Sequence, residues 1–432
     1  MAARRQQPGG RDGQNKPPPH LVVRGPQRAL EVLRGRRAGA LALLAVLGPG
    51  LLAGLSDDDP AGITTYSILG ADYGYQLLWV LTLSTVALIV FHNVAVRTGV
   101  VSGRGLMRLV RDRYGRRWTQ VALTALVVAN LGTICAEFAG VAAGMQLLSG
   151  TSQYISVPLA AAAVSVLVLK GSFRRVEHVL LALSAIFVAY VVSGILAHPD
   201  WGATAKGLVI PNMPLSRHGV LVTVATIGTT LAPWGLAFIQ SYAVDKRLSI
   251  KDLSYERVDV ISGAVLTGVI GVFIVIACAA TLHAHGQHIH DARDAAVALR
   301  PLAGSAATTL FGLGLVGAAL LAAAIVPLST AYSVAESFDH RCDLNDTLRE
   351  APLFYGSYGA CALIAVTLVL IPGAPLIPIL FLSQALNAVL LLAILPFLRA
   401  LARDPQVMGE YRIGRGTSLA TAVVIGLVAV SV

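Results

Sequence analysis

LSDDDPAGITT, residues 55–65, falls where a membrane-spanning helix is expected. Leu41 to Leu55 is apolar apart from glycine and proline, and ITTYSIL after the aspartates is membrane-compatible again. A charge at the bilayer centre costs at least ~2.5 kcal/mol even on lenient insertion scales. Three consecutive aspartates followed by proline therefore require a compensating partner inside the membrane. A break in the helix and a bound cation together would supply one.

The rest of the chain sets the class. Its 432 residues are 55% hydrophobic and only 13% charged, with a mean hydropathy of +0.70, whereas a soluble chain is nearer a quarter charged. Long apolar runs such as LTALVVANLGTICAEFAGVAAGMQLL suffice to cross ~30 Å of hydrocarbon. The chain reads as an all-α polytopic membrane protein. Residues 1–37, rich in Arg, Pro, Gly and Gln, are expected to be a disordered basic cytoplasmic tail rather than a signal peptide. Residues 38–432 are expected to form one transmembrane domain.

Eleven spans are predicted, at roughly 38–69, 75–96, 118–149, 155–169, 176–198, 219–244, 258–282, 302–337, 354–371, 376–398 and 416–432. With the N-terminus placed inside, 29 of the 33 Lys and Arg fall in cytoplasmic segments, leaving only Lys206, Arg217, Arg293 and Arg300 outside. That asymmetry is the positive-inside signature. It also accounts for the net charge of +10 without a nucleic-acid partner. The four cysteines, Cys135, Cys278 and Cys361 in spans and Cys342 in a loop, are expected as free thiols.

A second interrupted span lies at 226–245, TIGTTLAPWGLAFIQSYAVD, with Pro233 and Gly235 at its centre. Proline removes a backbone donor and glycine tolerates unwound backbone. A lone Pro-Gly pair reads equally well as a kink. Here, however, Pro60 and Gly62 break the first span, and Pro233 and Gly235 the sixth. These are the first members of two five-span halves, the pattern of an inverted-repeat transporter with its site at the midplane. Other ionisable groups within spans are few. Glu137 is central in the third span, while His92 is expected to pack or snorkel near the inner end of the second. Glu336 and Asp339 are expected to be solvated at the inner end of the eighth. HAHGQHIH, residues 283–290, is the most metal-like tract by composition, yet it lacks cysteine or an evident scaffold. HExxH, GxSxG and Walker signatures are absent from the sequence, so it is not read as an enzyme.

These stretches carry a family resemblance. GPGLLAGLSDDDPAGITTYSILGADYGYQLLWVLTLS (48–84) resembles the first two helices of the natural resistance-associated macrophage protein (Nramp) family of divalent-metal transporters. AEFAGVAAGMQLLSG (136–150), PLSTAYSVAESF (327–338), LSQALNAVLLLAILPF (382–397) and MGEY (408–411) extend the similarity over nearly everything from Gly48 onward. The resemblance implies the LeuT-like fold: two inverted five-helix repeats plus an eleventh helix, with helices 1 and 6 unwound at the ion. No cofactor is expected, the metal being cargo, and the protein is expected to be monomeric in the bilayer.

The departures from the family pattern matter as much. DPGN reads Asp59-Pro60-Ala61-Gly62 here, and MPHN reads Ala232-Pro233-Trp234-Gly235. The aspartate survives, while the asparagine, the methionine sulfur and the helix-6 histidine are replaced by Gly62, Ala232 and Trp234. Ile134 stands where the family usually has an aspartate three residues before Glu137. In these changes the chain is similar to the Nramp-related magnesium transporters. A thioether favours soft cations over Mg²⁺, which keeps its waters and prefers oxygen, so its loss is compatible with Mg²⁺. The expected metal site comprises the Asp59 carboxylate and unwound carbonyls near Ser56 and Thr229, in the cavity left by Gly62 and Ala232. Gln384 is expected to be reached through water, with Asp58 as a weaker candidate. The expected activity is transport of Mg²⁺ and Mn²⁺ by alternating access, uncoupled from protons, with Glu137 as the one group still able to carry a proton. The alternative is a proton-coupled Mn²⁺/Fe²⁺ importer of the ordinary family type.

Overall fold

The computed structural model describes residues 53–432 apart from Leu55, residues 170–188 and Asn345. The tail at 1–37 and its arginines, the start of the first span and most of the fifth lie outside the described residues. Among the described residues there is helix and no strand. Apolar runs in a medium without water leave the backbone only its own hydrogen bonds, and helices satisfy them within one segment.

The first span contains helical residues 53, 54, 56 and 57, a bend at Asp58 and Asp59, and then α1 (Pro60–Tyr73). α2 (Leu78–Ser102), α3 (Leu106–Ser149) and α4 (Gln153–Leu169) follow, and α5 (Ala189–Leu196) is the described end of the fifth span. A short helix, α6 (Trp201–Val209), is capped by Asp200, whose carboxylate accepts from the Ala203 amide at 2.9 Å. The sixth span is two helices, α7 (Arg217–Thr230) and α8 (Pro233–Asp245). α9 (Leu253–Thr281), α10 (Ala307–Ser337), α11 (Pro352–Val369), α12 (Leu376–Leu391), α13 (Leu395–Arg403) and α14 (Arg415–Ser431) complete the chain. Among the described residues seven helical stretches are long and apolar enough to cross a membrane. α4 and α14 are apolar but shorter, at 17 residues each.

Three boundaries differ from the sequence reading. The third helix begins at Leu106, not 118, and turns at Gly115, whose φ of 78° suits a residue without Cβ. Its first segment, LMRLVRDRY, buries Leu106, Met107, Leu109 and Val110 and exposes Arg108 and Arg113, an amphipathic stripe that a charge count hides. The tenth span is interrupted at residues 392–394, just before Pro396. α10 starts at Ala307 because residues 300–306 form separate short turns.

The halves of the broken helices sit at the centre of the packing. α1 lies against α3, α7, α9 and α12, and α8 lies against α2, α3 and α10. Close approach depends on missing side chains. A Cβ on Gly140 of α3 would fall 2.5 Å from the Pro60 ring, and one on Gly54 would fall 2.6 Å from the Gly263 backbone. Thr267 of α9 donates its hydroxyl to the Gly54 carbonyl. Cys135, Cys278, Cys342 and Cys361 are all free thiols.

Candidate metal site

Asp59 caps α1. Its backbone is extended (φ −81°, ψ 170°) and its Oδ1 accepts from the Gly62 amide at 2.6 Å. The positive end of a helix thus faces a carboxylate. Proline at 60 occupies N1, where its missing N–H is harmless to α1. In an unbroken helix residue 60 would direct an N–H at the Ser56 carbonyl, and residue 233 one at the Thr229 carbonyl. Neither proline can do so. The carbonyl ends of two helical segments, which carry partial negative charge, thereby point into the breaks.

The breaks meet. A Cβ on Gly62 would lie 2.9 Å from the Asp57 carbonyl, 3.1 Å from Thr229 Oγ1 and 3.2 Å from Asp59 Oδ1, so the first and sixth spans touch at this residue. Tyr66 of α1 and Thr230 of α7 share a hydroxyl hydrogen bond of 2.9 Å, and Ser329 of α10 donates to the Trp234 carbonyl at 2.8 Å. Asp59 is only 4% exposed, and Asp57 and Asp58 are buried as deeply. Glu137 of α3 presents its carboxyl to Asp59.

This region carries unusual polar debt. Both carboxylate oxygens of Asp57, Asp58 and Glu137 and the Thr229 hydroxyl are buried without a geometrically sound hydrogen-bond partner. None of the ion pairs among the described residues involves these carboxylates. An unmade buried hydrogen bond costs about 1–3 kcal/mol, and more for a charged group. A cation is the economical way to settle several such oxygens at once. No three His, Cys, Asp or Glu among the described residues converge as a ready-made metal cage, so any ion here would retain water or backbone ligands.

The remaining predicted positions sort differently. Ala232 and Trp234 are buried at the sixth-span break, with Trp234 packed near Phe238 and offering no ligand. Asp58 turns toward Thr267 of α9. Gln384 is buried on α12, but its amide is engaged locally, donating to Ser383 Oγ and accepting from Asn387. Asn387 also donates to Thr133 of α3 at 3.0 Å, a chain of neutral groups that the sequence reading missed. Glu336 is not solvated as expected: it is 5% exposed and accepts from Ser241 Oγ (2.6 Å) and the Met107 amide (3.2 Å), tying α10 to α8 and to the start of α3. Asp339 is the solvated one, paired with Arg108. His92 does not snorkel; it is 1% exposed on α2 and faces Gly235. The histidine tract is tied to the C-terminal end of α1, with His283 Nδ1 2.9 Å from the Ala71 carbonyl and His288 Nδ1 2.7 Å from Asp72.

Comparison with known proteins gives a consistent picture. A divalent metal cation transporter MntH from Burkholderia ambifaria is 29% identical over 426 residues, spanning 94% of this chain and 93% of that one. MntH from Deinococcus radiodurans is 32% identical over 335 residues, 73% of each chain. Among solved structures, a manganese transporter from Eremococcus coleocola shares the fold with a TM-score of 0.74 at 20% identity, covering 91% of this chain and 87% of that one. MhsT in complex with L-phenylalanine aligns with a TM-score of 0.60 at 15% identity, covering 91% and 98%. The family described as natural resistance-associated macrophage protein-like matches residues 50–432. The fold is thus the LeuT-like one expected from the two breaks, and the chain is a member of the Nramp family.

Proposed function

We propose that this protein carries divalent metal cations across the membrane by alternating access, with Asp59 as the charged ligand and the Thr229 carbonyl as a backbone ligand. The observation that carries the reading is the meeting of the two helix breaks beside buried carboxylates that lack protein partners. The Burkholderia and Deinococcus relatives are named divalent metal cation transporters, and the Eremococcus protein a manganese transporter. These names favour Mn²⁺ as cargo. The proton-coupled Mn²⁺/Fe²⁺ importer of the ordinary family type is therefore taken ahead of an uncoupled Mg²⁺ transporter. Glu137, facing Asp59, gives coupling a carboxyl to work through.

One observation supports the Mg²⁺ reading as a second possibility. Gly62 and Ala232 leave the breaks without an amide or thioether ligand, which suits an oxygen-lined, partly hydrated ion. The membrane potential alone gives a dication roughly 4.6 kcal/mol per 100 mV, so uptake without protons is energetically open.

Uptake into proteoliposomes under an imposed potential, with a pH dye inside, tests both. Saturable Mn²⁺ uptake with acidification that disappears in Glu137→Gln supports the coupled importer. Equal Mn²⁺ and Mg²⁺ uptake without acidification supports the second reading. Uptake of amino acids and no dication would overturn the proposal.

A further inference from the structure

His92 and Asp57 flank the same small gap, and neither has found a partner in the protein. The gap exists because residue 235 is glycine. The point where a Cβ would sit lies 3.3 Å from His92 Nε2 and 3.9 Å from Asp57 Oδ1. His92 belongs to α2, Gly235 to the first turn of α8, and Asp57 to the residues just before the first-span break. Both titratable side chains are at least 98% buried. His92 Nδ1 and both Asp57 oxygens have no hydrogen bond. A buried imidazole and a buried carboxylate so close would ordinarily pair directly. No ion pair joins them; both instead border the position that Gly235 leaves without a side chain.

We propose that this gap is a second cation position, with His92 Nε2 and the Asp57 carboxylate as its protein ligands and water completing the shell. The proposal rests on the transport reading above and adds to it a nitrogen donor outside the two helix breaks. With the ring proton on Nδ1, the Nε2 lone pair faces the gap, and one coordinate bond forms there without any redox change. The position lies at the first turn of α8, beside the sixth-span break. Imidazole suits transition-metal cations, whereas Mg²⁺ favours oxygen and water. His92 therefore restores, from another helix, some of the discrimination that Ala232 and Trp234 lack at the sixth-span break.

The test is pulsed electron paramagnetic resonance of Mn²⁺ titrated from below one to two equivalents on the purified full-length protein, read for ¹⁴N coupling. The expected spectrum shows a directly bound imidazole nitrogen, converted to a ¹⁵N signature by ¹⁵N-histidine labelling. His92→Gln should abolish the coupling while Mn²⁺ still binds. It should also lower Mn²⁺ preference over Mg²⁺ in competition uptake on the order of 10-fold. Gly235→Ala, which fills the gap without removing the histidine, should weaken the coupling. His288→Ala, in the histidine tract, should leave it intact. A wild-type spectrum without ¹⁴N coupling, alongside normal dication uptake, would overturn the second position and leave the transport reading standing. Coupling that survives His92→Gln would do the same. Loss of both Mn²⁺ binding and dication uptake in the wild type would overturn the two together.

Discussion

At the residue scale, Asp59 is the carboxylate on which the proposed site turns. It caps α1, faces Glu137 and sets its Oδ1 beside Gly62, where the two breaks meet. Asp59→Ala should abolish dication uptake with the fold retained, a loss larger than the ~10–100-fold typical of removing a supporting partner. Uptake together with a thermal melt checks both halves of that expectation. Gly62 and Ala232 are argued to set selectivity. Gly62→Asn with Ala232→Met should shift competition toward Mn²⁺ and Cd²⁺ and impair Mg²⁺. The Gly62 position is tight: a Cβ there must displace the Asp57 carbonyl at 2.9 Å, so the variant should also lower Mg²⁺ uptake by crowding the water shell. Unchanged competition in the double variant would contradict the assignment. Asp59, Pro60 and Pro233 were legible in the sequence because their chemistry is anomalous inside an apolar run. The facing of His92 was not, because a lone histidine on an apolar helix carries no mark of which neighbour lacks a side chain.

At the scale of elements, the breaks follow from local chemistry. Proline at 233 removes the N–H that would close the last turn of α7 onto Thr229. Pro233→Ala restores that donor, which then competes with the ion for the carbonyl. One net hydrogen bond is worth about 0.5–1.5 kcal/mol, so metal affinity should fall roughly 2- to 10-fold without loss of thermal stability. Titration calorimetry measures the first and a melt the second. The C-terminal end of α10, the start of α3 and α8 are held together by a contact that the sequence did not disclose. Glu336 accepts from α8 and from the start of α3, and Gly105 is small because a Cβ there would overlap the Glu336 carboxylate. Glu336→Ala leaves the Met107 amide and Ser241 without their acceptor and should destabilise the protein by about 1–3 kcal/mol. Glu336→Gln, which keeps an acceptor, should cost less; equal melts for the two variants would contradict a hydrogen-bonding role. Glu336 was misread as solvated because its place at a helix end says nothing of the amphipathic segment folded over it. That segment, 106–114, was hidden by its own arginines, which mask the apolar stripe between them.

At the scale of the molecule, the apolar spans made the all-helical class legible, since hydrocarbon leaves an apolar run few structures to adopt. The pairing of breaks across two halves made the fold legible, and the resemblance to the Nramp family agreed with both. What the sequence left dark is tertiary: which polar groups remain unpaired after packing, and what they surround. Seven buried oxygens near the breaks lack protein partners, and a dication is the proposed answer. Anomalous diffraction at the manganese edge from crystals grown with Mn²⁺ tests that claim most directly. The account predicts an anomalous peak within direct coordination distance of the Asp59 carboxylate and the Thr229 carbonyl, lost in Asp59→Ala. A structure with saturating Mn²⁺ and no peak between the two breaks, or one whose only peak lies in the histidine tract at 283–290, would contradict it.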